Sequence, residues 1–130
     1  MAFRHGEPVF VISVAARLLE MHPQTLRKYE REGLIAPSRT NGNLRLYSDR
    51  DIERLRQVKY LVEERGLNLA GVQLAMELTH RLRELRARAQ AQVKATENGR
   101  AADEGRSDGL CREMDAVLAL LGVSDERPTR

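Results

Sequence analysis

Apolar positions along the 130-residue chain fall in short, well-punctuated blocks. Val9 to Ile12 is a largely β-branched run of strand length. Ser13 follows as a helix N-cap, and Val14, Ala15, Leu18 and Leu19 then share one helical face. Pro23 breaks this helix, because it lacks an amide proton and fixes its own φ. The same properties suit it to the first turn of a second helix, which runs to Glu32 and stops at Gly33. Two short helices across a tight turn predict a helix-turn-helix.

The next block reads as a hairpin. Asn41-Gly42 is a strong two-residue turn signal, since both positions favour positive φ. Beyond it, strict alternation predicts Leu44 and Leu46 inward, with Asn43, Arg45 and Tyr47 outward. That strand predicts a wing beside the helix pair. Ser48 then caps a third helix, and Asp49 and Asp51 complement its positive end. Ile52, Leu55, Val58, Lys59 and Val62 follow helical spacing until Gly66.

Asn68 opens a fourth helix, with Leu69, Val72, Met76 and Leu78 on its stripe. Residues 79–96 contain no Gly or Pro. Leu78, Leu82, Leu85, Ala89 and Gln92 alternate four and three apart, an a/d heptad seam that predicts a dimerising coiled coil. Packing back onto the N-terminal body is the other way to cover that seam. Glycines and polar residues dominate 97–109, which predicts a flexible linker. Leu110, Met114, Val117, Leu118 and Leu121 predict a short amphipathic helix over 110–122, followed by a tail over 123–130.

Charge sharpens this picture. The net charge of +3 is unevenly placed: residues 1–66 carry 12 Lys and Arg against 9 Asp and Glu, whereas residues 96–130 carry 5 against 8. A basic body with an acidic end suggests an anionic partner. The single cysteine, Cys111, excludes an intrachain disulfide framework and fits a reducing cytosol; on its amphipathic stripe it reads as a small hydrophobe. The apolar runs are too short to span a membrane, and the first residues lack the pattern of a signal peptide. A cytoplasmic protein is the expectation.

Catalysis finds no support in the pattern. His5, His22 and His80 lie far apart and form no ligand spacing with Cys111, so no metal site and no cofactor are expected. His22 and Tyr29 are two helical turns apart and cannot exchange a proton directly. The start of the second helix instead suits double-stranded DNA. His22, Gln24, Thr25, Arg27 and Lys28 crowd its first half, where Gln, Arg and Lys reach base edges and Thr reaches phosphate. Tyr29 offers a ring for packing and a hydroxyl for a phosphate oxygen. Glu30, Arg31 and Glu32 read as solvent-facing charges of a surface helix.

The stretch "TLRKYEREGLIAPSRTNGNLRLYSDRDIERLRQV" resembles the DNA-binding domain of the MerR family of transcriptional regulators. The pattern is carried by Thr25, Leu26, Arg27, Tyr29, Glu30, Gly33, Leu34, Pro37, Arg39, Arg45, Tyr47 and Asp51. The resemblance implies a mainly α fold: a winged helix-turn-helix over 10–78, then an antiparallel coiled-coil helix over 79–96 that dimerises through Leu78, Leu82, Leu85 and Ala89. It implies a homodimer on an inverted-repeat operator, with Thr25, Arg27 and Tyr29 contacting DNA from the helix, and Arg39, Arg45 and Tyr47 contacting backbone from the wing beside Asn43. Within the family the likeness is to the heat-shock repressors. That implies repression of chaperone operons, with the DnaK chaperone as co-repressor. A ligand-responsive activator with an unknown effector, and an adaptor for chaperones, are the alternatives. The apolar stretch Ala116–Val123 is open to three roles: stabilising the dimer, contacting a chaperone, or packing on the coiled coil.

Overall fold

A computed structural model describes residues 6–95 and 101–123, with 93–95 and 101–107 described by helical backbone alone. Two compact units meet in sequence at Leu69 and Ala70. The first holds β1 (Pro8–Val11), α1 (Ile12–Leu19), α2 (Pro23–Arg31), β2 (Ser38–Arg39), β3 (Arg45–Ser48) and α3 (Asp49–Glu63). The second holds α4, which starts at the boundary (Leu69–Ala95), and α5 (Ala101–Leu120).

β3 is the central strand of an antiparallel sheet ordered β1-β3-β2. Phe10 faces Tyr47 and Val11 faces Leu46 on one side, and Arg39 faces Arg45 on the other. Val11 is still paired in the sheet when α1 begins, so the chain passes from strand to helix without a side-chain cap. Ser13, expected as that cap, lies inside α1 instead. Ala15, Ala16 and Leu19 are the buried face of α1, while Val14 and Leu18, expected with them, are exposed.

Local end signals behave as the chemistry of the residues dictates. Ser48 and Asp51 form a reciprocal capping box at the start of α3, with Asp51 N–H donating to Ser48 Oγ at 3.1 Å and Ser48 N–H to Asp51 Oδ2 at 3.0 Å. Gly33 takes φ of 78° after α2, and Leu34 N–H donates back to the Tyr29 carbonyl at 2.9 Å, which tucks Leu34 into the core. The core of the first unit joins Leu26 and Tyr29 of α2 to Tyr47 of β3 and to Ile52, Leu55, Val58 and Leu61 of α3.

The hairpin forms, but not with the expected turn. Asn43 N–H donates to the Thr40 carbonyl at 2.8 Å, and Thr40 N–H to the Leu44 carbonyl at 3.0 Å. Positive φ falls on Asn43, at 65°, and not on Gly42. The loop is therefore three residues long, ending in a left-handed residue, rather than a two-residue turn.

In the second unit α4 is one unbroken helix of 27 residues, about 40 Å long. It spans both segments that the sequence reading separates near residue 79. Val72, Ala75, Met76 and Thr79 form its buried face. Leu78 and Leu85 are each 50% exposed, and Leu82 and Ala89 are half-buried. α5 begins at Ala101, so 101–109 of the expected linker is helical, and the rest of that expectation lies outside the described residues. α5 is tied to α4 by Arg86, whose Nε donates to Asp115 Oδ1 at 2.7 Å and whose Nη2 donates to Oδ2 at 3.3 Å. Leu118 is buried, Cys111 and Met114 are half-buried, and Leu110, Val117 and Leu120 are exposed. Gly122, with φ of 85°, closes α5 as the sequence predicts.

Candidate nucleic-acid interface

α2 presents a buried face, an exposed crest and two flanks. Leu26 and Tyr29 are buried and fix its rotation. The opposite crest, at i, i+4 and i+7, carries Gln24, Lys28 and Arg31, all exposed. Thr25 lies on one flank, and Arg27 and Glu30 lie on the other, partly covered. The crest thus has two cations and an amide, the groups that reach base edges and phosphates in a major groove.

Three side chains secure the ends of the helix pair. His22 is its N-cap: Nδ1 accepts from Gln24 N–H at 3.0 Å, which fixes Nε2 as the protonated ring nitrogen. Lys59 of α3 donates to the carbonyls of Leu19 at 2.9 Å and Glu20 at 3.3 Å, satisfying the end of α1 where Glu20 turns left-handed at φ 53°. Arg54 of α3 donates to the Leu34 carbonyl at 2.7 Å and holds the exit from α2.

The wing is fastened to the same helix through Glu30. Arg39 Nη2 donates to Glu30 Oε1 and Arg45 Nε to Glu30 Oε2, both at 2.8 Å. Burial pushes the Glu30 carboxyl up, but hydrogen bonds from Arg45 and Arg39 outweigh this and hold it below its ordinary range. Arg39 Nη1 also donates to Asn43 Oδ1 at 3.2 Å, close to the hairpin tip.

Among the residues expected at DNA, the structure places His22, Gln24, Thr25, Arg27 and Lys28 along the accessible side of α2, and Arg39, Asn43 and Arg45 on the wing. The two tyrosines differ. Tyr47 is 0% exposed: it stands opposite Phe10 and its ring lies in the core of the first unit. Leu44, expected inside, is 50% exposed; it closes the hairpin loop opposite Thr40, before β3 begins. Tyr29 is 7% exposed, and burial followed by the charges of Glu63 and Glu32 raises its hydroxyl above the usual value. Both rings pack the scaffold and leave almost no surface for a phosphate. Two residues escaped the sequence reading. Arg31 shares the crest, which its spacing from Gln24 could have shown. Glu30 bridges to partners 9 and 15 residues onward, which helical spacing cannot reveal.

A family model for the MerR helix-turn-helix regulatory proteins matches residues 10–79. The chain belongs to the MerR family. Regulators of this family bind DNA and act as dimers. The chain is 54% identical over 94 residues to the heat shock protein HspR of Streptomyces coelicolor, covering 72% of this chain and 62% of that protein. It is 38% identical over 69 residues to the transcriptional regulator GlnR of Bacillus cereus, covering 53% of each. It is 40% identical over 72 residues to the regulator YfmP of Bacillus subtilis, covering 55% of this chain and 51% of that one. The chain therefore spans about half to three fifths of the length of these relatives. No described helix is long and apolar enough to cross a membrane.

Proposed function

We propose that this MerR-family protein is a repressor of heat-shock genes that binds an inverted-repeat operator as a homodimer. The observation that carries the DNA part is the crest of α2, where Gln24, Lys28 and Arg31 stand clear of a buried Leu26–Tyr29 face. The likeness to HspR, higher in identity and longer than that to GlnR or YfmP, supports the heat-shock assignment. The base-reading candidates are Gln24, Arg27, Lys28 and Arg31. His22 and Thr25 at the helix start, with the wing, face backbone.

The dimer would form through α4. Leu78 and Leu85 are half-exposed in the single chain, and Leu82 and Ala89 continue the seam. Such apolar surface is covered when a second copy packs antiparallel. The protein would act in the bacterial cytoplasm on the nucleoid, with DnaK as co-repressor. The test is a gel shift on inverted repeats upstream of chaperone operons, with and without DnaK at two temperatures. A shift that DnaK strengthens and heat weakens is expected. No shift on any such repeat contradicts the repressor reading. Arg27→Ala should cost about 1–3 kcal/mol of operator affinity and relax specificity at one position.

A further inference from the structure

Arg39 and Arg45 sit directly opposite each other across the wing hairpin. Like charges in that relation repel. Glu30, arriving from α2, is placed between them and accepts one hydrogen bond from each. Their fractional exposures, 35% and 26%, do not separate the two arginines. The nitrogens they use do. Arg45 is held through Nε, the nitrogen on its stem, and among the described residues nothing takes its two terminal nitrogens. Arg39 is held through both terminal nitrogens, Nη2 on Glu30 and Nη1 on the Oδ1 and carbonyl of Asn43. A guanidinium grips a phosphate best through a pair of parallel N–H groups. Arg45 has such a pair to offer, whereas Arg39 has already engaged its terminal pair within the protein.

We propose that Glu30 is a positioning residue that presents Arg45 to a DNA phosphate, and that Arg39 is a clamp on the wing and not a phosphate contact. The proposal rests on the DNA-binding reading above and divides roles that family resemblance gives to both arginines alike. Charge supports it. One carboxylate and two guanidiniums leave a single positive charge, which matches one phosphate. Glu30 also limits the attraction of the wing for DNA of any sequence, because it cancels one of the two cations there.

The test is operator affinity across a salt series, with a scrambled duplex alongside. Each phosphate neutralised contributes about −0.9 to the slope of log K against log salt. Arg45→Ala should flatten the slope by about one to two units for the dimer with its two wings. Arg39→Ala should weaken binding while keeping the slope. Glu30→Gln should steepen the slope and raise affinity for the scrambled duplex, because Arg39 is released to the backbone. A merely structural role for Glu30 would not steepen it. Equal flattening by Arg39→Ala and Arg45→Ala, or an unchanged slope in Glu30→Gln, overturns the proposal. Nitrogen NMR of the wild-type guanidiniums needs no variant to fold: operator should shift the terminal nitrogens of Arg45 and leave those of Arg39, and the reverse overturns the assignment. Wild-type protein that binds no duplex at any salt defeats the DNA-binding reading itself, a result distinct from the ranking of the variants.

Discussion

Tyr47 carries its hydroxyl into the core of the first unit, where among the described residues it has no hydrogen-bond partner. A buried donor left unsatisfied costs about 1–3 kcal/mol. Tyr47→Phe removes the hydroxyl and keeps the ring against Phe10. It should leave operator binding intact and hold or raise the urea midpoint. A tenfold loss of operator affinity would return this hydroxyl to the DNA interface. Glu30 gives a prediction with a definite sign. Its folded carboxyl is held below the ordinary value of 4.5. The bridge therefore contributes its full stability above that value, and loses it as pH falls through the lowered folded value. Glu30→Gln should flatten this acid limb of stability, measured by urea unfolding across pH. A limb that keeps its shape in the variant would place the acid sensitivity elsewhere.

At the scale of elements, α2 depends on an uncommon cap. His22 occupies a position usually taken by Ser, Thr, Asp or Asn, and accepts through Nδ1. His22→Ala should cost about 0.5–2 kcal/mol by thermal or urea unfolding, and His22→Asn should recover most of it. Equal stability in wild type and His22→Ala would make the contact incidental. Much of the element pattern was legible before the fold was known. Pro23, Gly33, Gly66, Gly122 and the Ser48–Asp51 box are local devices, and each ends or starts a helix where its own chemistry says. What was not legible depends on neighbours. Alternation along Asn43–Tyr47 predicted the wrong side for Leu44 and Tyr47, because burial there is set by what packs on the sheet, and Tyr47 lies in the core opposite Phe10. The start of α5 was masked by Gly105 and Gly109, each a cost of about 1 kcal/mol inside a helix. Burial of Leu118 and the Arg86–Asp115 pair lie in the same element and favour it. The crest of α2 could be read from spacing, but the Glu30 bridge could not, since its partners come from a separate hairpin.

For the whole molecule, the dimer reading rests on the exposed Leu78 and Leu85. Leu85→Asp should shift the protein toward monomer in sedimentation and weaken operator binding in parallel, since two half-sites then no longer act together. A monomeric variant with undiminished operator affinity would separate dimerisation from DNA binding. The same seam carries Ala89 and Gln92, one small and one polar residue at core positions. A dimer held by so thin a contact would loosen on warming and release DNA with it. Reading of an inverted repeat by the α2 crest and its wing is measured by titrating the protein onto such a repeat from a chaperone operon. The comparison is the same duplex with both half-sites scrambled, at one fixed salt concentration and followed by fluorescence anisotropy. One dimer should bind per repeat, with a preference of about a thousandfold or more over the scrambled duplex; equal affinity for the two duplexes would rule out sequence-specific reading.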